Sequence, residues 1–389
     1  MAPDHGSLAA PRVGVYIDYR FRESGGRLST ERAFALFLFA LAPHVGSLQL
    51  IGRFDPTPEP YDYELPPEVG LVRLPGYDSL RRPLRALPAV VRGFGRLWRA
   101  LDDLDVVWAL GPNPQAIVLA AMGVLRRRRV VLGVRQDTPQ YVRRRHPDRR
   151  ALWLAADVMQ ASFRLLARRC PAVVVGEELR VAYGHAPRVH VLHVSLVPEA
   201  TVLDADPPAR ETFGGRIISV GRLDTEKNPL LLAEILALLA EDGGDWRMEI
   251  YGDGPLAEAL EARLAELGLE DRATLHGYLA ADQGLVQAYR AADVFLHVSW
   301  TEGMPQVLLE AFAARLPTVA TAVGGVAALS GDAALLVGPG DAPAAADALR
   351  RLAADPELRA RLAEAAERVV RSHTMEHEAA TVAAFLEAS

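Results

Sequence analysis

Lysine is almost missing from this sequence: Lys227 is the one lysine among 43 basic residues. A chain that uses arginine for generic positive charge singles out the position where a compact ammonium is kept. Cysteine is equally scarce. Cys170 stands alone, so no intrachain disulfide can form and a thiolate metal cluster is excluded. It is expected to be a small buried hydrophobe. Long apolar runs are lacking too, because the longest, Ala33 to Ala42, is too short to span a bilayer. The opening residues MAPDHGSLAAPRVGVYID show no basic flank followed by an apolar run, so a cytoplasmic location is expected. No glycine-rich dinucleotide fingerprint follows the first apolar segment, Val13 to Ile17, after which the expected turn reads Asp18-Tyr19-Arg20-Phe21. That sets a dinucleotide dehydrogenase aside. No cage of carboxylates suggests a divalent metal, and no metal or other cofactor is expected.

What is present has a normal globular balance, 50% hydrophobic and 24% charged over 389 residues. That length exceeds one ordinary core and points to two domains. The net charge of -6 conceals an asymmetry, with residues 1–199 about nine charges positive and the remainder about fifteen negative. Part of the positive excess lies in residues 81–99. There Arg81, Arg82, Arg85, Arg92, Arg96 and Arg99 interleave with Leu84, Leu87, Val91, Phe94 and Trp98. This segment reads as a basic amphipathic helix that packs its apolar side into its own domain or rests on an anionic membrane surface. The run Arg126 to Arg129 reads as the end of a helix. Without an aromatic platform beside it, nucleic acid is not an expected partner.

Short Val- and Ile-rich runs alternate with longer Ala/Leu/Arg stretches, the pattern of an α/β protein with parallel sheets covered by helices. Strands are expected near Val13–Ile17, Leu48–Gly52, Leu71–Leu74, Val106–Ala109, Val130–Val134, Val173–Val175 and Val189–His193. After a turn-rich linker between Pro198 and Gly215, a second set is expected near Ile217–Val220, Met248–Tyr251, Ala273–Leu275, Val294–Val298, Thr318–Ala320 and Leu335–Val337. Two Rossmann-like domains facing a cleft follow, residues 1–198 and 199–370. Residues 371–389 form a last helix that packs back on the first domain.

Several loops after predicted strands carry the chemistry. Gly221, Arg222 and Lys227 leave the sheet at its carboxyl edge, where doubly wound folds bind ligands. A guanidinium and an ammonium there can share the charge of a diphosphate. Tyr251, Gly252 and Gly254 follow the next strand, and His276, Gly277 and Tyr278 the one after. Each alone is an ordinary turn, and His276 is expected to pack or to bond the backbone rather than to move a proton. Glu302, Gly303, Met304, Pro305, Val307, Leu308 and Glu310 pass from a loop into a helix whose first amides favour anions. The two glutamates can grip different parts of one extended ligand, since a carboxylate accepts from two vicinal hydroxyls.

The order and spacing of these parts from Ile217 to Pro343 resemble the GT-B glycosyltransferases, specifically the retaining glycosyltransferase family 4. The resemblance rests on the GR...K element, the GDGP turn at Gly252 to Pro255, the HG element and the E-x7-E signature from Glu302 to Glu310. Pro317 to Thr321 and Gly324-Gly325 extend it. It implies that Arg222 and Lys227 bind the donor diphosphate, Glu310 the ribose hydroxyls and Glu302 the transferred sugar. Backbone amides around Gly303, Met304 and Val307 assist. The base lies against Tyr251 to Gly254 and His276 to Tyr278, and Gly25-Gly26 corresponds to the family's glycine pair near the phosphates. A UDP- or GDP-sugar is the implied donor, with transfer to an unidentified hydroxyl on a polysaccharide, a lipid-linked sugar or a natural product. The anomeric configuration is retained and no metal is used.

The N-terminal half departs from the family. Gln136 stands where a histidine is usual, and Asp137 is either its substitute or a turn residue before Pro139. Asp18 is the other acceptor-side carboxylate. A nucleotide-sugar epimerase on the same fold and a non-catalytic nucleotide-sugar-binding subunit remain alternatives.

Overall fold

The computed structural model describes residues 10–76, 83–145, 148–203, 213–241, 243–279 and 284–389. Arg81 and Arg82 of the basic segment, and Asp204, Asp206, Pro207 and Pro208 of the linker, lie outside these residues. The chain divides into two compact units, one ending at Leu196 but including Met375–Ser389, the other Val197–Thr374.

The first unit holds strands β1 (Arg12–Ser24), β2 (Arg27–Thr30), β3 (Ser47–Phe54), β4 (Tyr63–Glu64), β5 (Val69–Pro75), β6 (Val106–Gly111), β7 (Arg129–Val134), β8 (Ala172–Val175) and β9 (Val189–Leu192). Seven of them form a parallel sheet in the order β5-β3-β1-β6-β7-β8-β9. Alternation along β1 sends Val13, Val15 and Ile17 to one core and Tyr16 to the other, so both faces are buried.

One expectation is corrected here. Asp18 to Phe21 are not a loop, because β1 continues through a register shift after Tyr16 and runs to Ser24. It then folds back antiparallel onto β2 with Ser24 opposite Arg27, leaving Gly25-Gly26 as a two-residue hairpin turn. Both glycines have positive φ, 56° and 79°, as the tight primed hairpin turn requires. The pair is therefore the hairpin tip that follows the first strand.

The C-terminal helix Met375–Glu387 belongs to this first unit, burying Ala379, Val382, Ala383 and Leu386 beside Phe34, Phe37 and Leu38. In helix Pro83–Ala100, Leu97 and Ala100 point inward, while Val91, Trp98, Arg92, Arg96 and Arg99 are exposed. Arg126 ends helix Pro114–Leu125 and lies 4.3 Å over the Trp98 ring, as a helix-end residue. Cys170 is buried, which lifts its thiol to about 11 and makes it inert.

The second unit holds β10 (Arg216–Val220), β11 (Arg247–Tyr251), β12 (Ala273–Gly277), β13 (Val294–His297), β14 (Thr318–Thr321) and β15 (Leu335–Val337), all parallel in the order β12-β11-β10-β13-β14-β15. Ile217, Val294 and Leu296 face one core and Ile218 and Phe295 the other. Each fully buried side chain of this kind contributes about 1.5–3 kcal/mol. The chain builds outward from β10 to β12 and then returns to place β13 on β10's other side. The order reverses between β10 and β13, and a crevice opens at such a switch point outside the carboxyl ends. No helix among the described residues is long and apolar enough to cross a membrane.

Candidate functional site

The loops after β10 and β13 flank that switch point. After β10, Asp224 accepts from the amides of Glu226 and Lys227 and winds a short 3-10 turn, and Asn228 closes it in the left-handed region at φ 50°. The carbonyl of Glu226 accepts from the Trp300 amide at 2.9 Å, tying this turn to the loop after β13. Lys227 is thereby aimed at Glu302, with Nζ 2.5 Å from Oε1.

Glu302 is held by three side chains. Its side chain is 6% exposed, and Oε1 also accepts from Ser299 Oγ at 2.6 Å and contacts His297 Nε2 at 2.9 Å. Burial pushes its pKa up, but the His297 hydrogen bond and the Lys227 charge outweigh that and bring it to about 2. The carboxylate is ionised at neutral pH. All these partners use Oε1, so Oε2 has no partner among the described residues and is left for a ligand hydroxyl. Gly324 packs against the same turn: a Cβ there would lie 1.8 Å from the carbonyl oxygen of Glu302.

Arg222 is exposed and bonds Asp224 at 2.6 Å and Glu226 at 3.3 Å, so it belongs to the same turn as Lys227. Glu310 lies in helix Gln306–Ala313, half-buried, and its Oε2 accepts from the Tyr289 hydroxyl at 2.9 Å. Burial raises its pKa and the Tyr289 bond opposes the rise. Of the residues leading into this helix, Gly303 is exposed and Pro305 is the N-cap. Met304 and Val307 are half-buried against the core. Leu308 is fully buried and its amide already bonds the Pro305 carbonyl, so it offers a ligand nothing directly.

Gly221, Gly252 and Gly277 are laced together: Gly221 donates to the Tyr251 carbonyl and Gly252 to the Gly277 carbonyl. Gly252 has φ 141°, and a Cβ there would lie 1.8 Å from the Gly221 oxygen; one on Gly254 would lie 2.3 Å from the Leu223 oxygen. Only glycine permits this approach. His276 stacks on Tyr251 with centroids 4.4 Å apart and bonds Glu249, while Tyr278 is 70% exposed beside them.

The structure thus brings Arg222, Lys227, Glu302, Glu310 and the Tyr251–His276 stack to one sheet edge. The other sequence-stated residues lie in the first unit. Gly25 and Gly26 are at the hairpin tip, Asp18 is paired with Arg53 at 2.7 Å, and Gln136 is exposed. Asp137 accepts from the Gln140 amide at 2.9 Å on Oδ1 and so starts helix Thr138–Arg145.

Sequence reasoning missed His297 and Tyr289. Both hold the signature glutamates, yet each hides in an apolar stretch. The usable signal was the presence of histidine, serine and glutamate at positions 297, 299 and 302, beginning inside an otherwise apolar strand.

Comparisons with known proteins agree with this geometry. Residues 210–369 match the family model described as glycosyl transferases group 1. The chain is similar to the alpha-D-kanosaminyltransferase of Streptomyces kanamyceticus, 34% identical over 199 residues, covering 48% of this chain and 51% of that protein. It is also similar to the sulfoquinovosyl transferase SQD2 of Arabidopsis thaliana, 35% identical over 155 residues, 39% of this chain and 29% of that one. The match thus spans about half or less of these relatives' length. Among solved structures, sucrose-phosphate synthase from Thermosynechococcus elongatus superposes with TM-score 0.67 at 19% identity, covering 96% of this chain and 98% of its own. Anabaena HepE in complex with UDP and glucose gives 0.65 at 16% identity, covering 97% and 100%. Residues 210–369 are thus similar to the glycosyl transferases group 1 family, and the chain as a whole has the GT-B fold of two Rossmann-like units.

Proposed function

We propose that this protein is a retaining, metal-independent glycosyltransferase that takes a nucleotide-diphosphate-sugar on its second unit and passes the sugar to a hydroxyl acceptor. The observation that carries the reading is the meeting of Lys227 and Glu302 at the β10/β13 switch point.

Cleaving a glycosyl-diphosphate bond builds negative charge on the leaving oxygen. Lys227, fixed by Glu302, and Arg222, fixed by Asp224 and Glu226, supply positive charge where it develops, which is how a site without a metal stabilises such a transition state. The Oε2 atom of Glu302 accepts sugar hydroxyls, and Glu310 accepts the ribose hydroxyls while Tyr289 holds its other oxygen. The base stacks near Tyr251 and His276. Retention corresponds to an acceptor that attacks from the face the diphosphate leaves, with the diphosphate taking its proton. The first unit holds the acceptor, with Asp18, Gln136 and Asp137 as its contacts. The kanosaminyl- and sulfoquinovosyl-transferring relatives support sugar transfer, the HepE structure in complex with UDP and glucose supports a sugar-nucleotide donor, and UDP or GDP is the expected base. A cytoplasmic location, with membrane contact through residues 81–99, accompanies this reading and is checked by flotation with anionic vesicles.

The test is calorimetry of the purified chain against UDP, GDP, dTDP and ADP without metal, repeated with Lys227→Ala. Micromolar binding of one nucleotide, lost in the variant, is the expected result. Binding that needs a divalent ion overturns the metal-free part, and unchanged affinity in the variant overturns the site. The anomeric configuration of the product, read by NMR, decides retention.

A further inference from the structure

Helix Arg150–Ala167 of the first unit turns an apolar stripe to solvent. Ala151, Leu154, Val158, Ala161 and Leu165 recur at the three- and four-residue spacing of one helix face, and all are exposed. Leu154, Val158 and Leu165 are 66%, 57% and 62% exposed, although the helix already buries Ala156, Phe163 and Ala167 on its other side. The helix is therefore apolar on two faces, and only one of them is packed. A helix that faced water alone would carry polar residues there. The stripe runs about 20 Å along the axis.

Its surroundings share this character. The helix belongs to the layer between β5 and β9 that covers the Tyr16 face of the sheet. Among the described residues, every exposed large apolar side chain of the first unit lies on the helices of that stretch, including Val91, Trp98, Leu125 and Val181. The opposite layer, with helices Phe34–Phe39 and Met375–Glu387, exposes none. Single apolar residues on a surface need no explanation, but a contiguous apolar face rimmed by charge marks an interaction surface.

The charge says which kind. Residues 149–169 hold five arginines and one carboxylate, Asp157, which receives Arg143 Nη2 on its two oxygens at 2.8 and 2.7 Å. Arg150, Arg164, Arg168 and Arg169 are exposed at the ends and margins of the stripe, and Arg92 and Arg96 are exposed on helix Pro83–Ala100 of the same layer. Pairing this face with the same face of a second copy would set arginines against arginines, so an anionic partner is favoured. An apolar stripe bordered by guanidinium groups suits a lipid surface. Apolar side chains enter the boundary between headgroups and acyl chains, while arginine stems run past them and place their charge on headgroup phosphates.

We propose that the first unit rests on an anionic bilayer through this helical layer, with helix Arg150–Ala167 as the inserting element. This goes beyond the contact given to residues 81–99, because the stripe stands on a different helix, and it depends neither on that contact nor on the donor reading.

Flotation of the full chain tests it, with vesicles of phosphatidylcholine alone against phosphatidylcholine and phosphatidylglycerol in equal parts. Wild type floats with the mixed vesicles, less as salt rises, and not with the neutral ones. Leu154→Gln/Val158→Gln and Arg164→Gln/Arg168→Gln change exposed positions and leave the melting temperature within about two degrees of wild type. Each lowers partitioning by about tenfold or more. Arg92→Gln/Arg96→Gln reports the contact of residues 81–99 separately, and UDP and GDP titrations report the donor site. Failure of wild type to float with the mixed vesicles overturns the proposal. Full flotation of the Leu154→Gln/Val158→Gln protein does the same, even where Arg92→Gln/Arg96→Gln abolishes binding. Equal flotation with neutral vesicles overturns the role given to the arginines. A wild-type dimer in sedimentation that Leu154→Gln/Val158→Gln splits, with no vesicle binding, would put a second copy on the stripe instead.

Discussion

Glu302 stays charged inside the protein because a lysine, a serine and a histidine converge on one of its oxygens. Its folded pKa of about 2 lies below the ordinary 4.5, so it contributes stability that is full above that ordinary value and is lost as pH falls through about 2. A depression of this size is worth roughly 3 kcal/mol at neutral pH. Urea unfolding of wild type and Glu302→Gln at neutral and acidic pH checks it: between about pH 5 and 2 the wild-type midpoint falls more steeply than the variant's. Lys227→Ala leaves this carboxylate buried without its countercharge. Its pKa then rises, stability drops by about 1–3 kcal/mol, and nucleotide affinity falls at least tenfold. Thermal melts and calorimetry separate the two effects. Tyr289→Phe takes a hydrogen bond from Glu310 and raises that pKa further. The expected outcome is several-fold weaker binding of ribonucleotides, with binding of the bare diphosphate unchanged.

At the scale of elements, the parallel strands were legible because Val/Ile runs between helical stretches have few other solutions. The turn elements were not. The antiparallel return of β1 onto β2 was written in Gly25-Gly26 and in the alternation Tyr19-Arg20-Phe21-Arg22, but charged residues in the outward positions made that stretch read as loop. The donor motifs were legible because their glycines and charges occur in fixed order, whereas His297 and Tyr289 look like core until their partners are known. The role of Asp137 was undecidable from sequence, since a capping aspartate and a base are the same residue type before the same proline. Close backbone approach gives this scale its prediction. Gly324→Ala would put a Cβ 1.8 Å from the Glu302 oxygen at φ 50°, and Gly252→Ala one equally near the Gly221 oxygen. Each should cost about 2–4 kcal/mol and weaken nucleotide binding, because the displaced backbone carries the site. Gly303→Ala meets nothing within 4 Å and is expected to melt within a degree or two of wild type.

At the scale of the whole chain, sequence order and structural membership part company at the C-terminus. Met375–Ser389 follows the whole second unit in sequence, yet it completes the first unit's core. Ala379, Val382, Ala383 and Leu386 are nearly fully buried there, and Arg129 and Arg188 bond the carbonyls of Glu387 and Ala388. A helix with Ala, Val, Phe and Leu on one face needs a partner for that face. Ending the chain at Thr374 would expose the apolar side of the β1 sheet around Phe34, Phe37 and Leu38 while leaving every strand of the second unit in place. The truncated protein should therefore lose hydrogen-exchange protection in β1, β6 and β9 but keep it in β10 to β15. Nucleotide binding by the second unit alone would persist more weakly. Uniform loss of protection in both units would show instead that the helix stabilises the molecule through contacts outside the first core, and full retention in both would show that the burial of this helix contributes little.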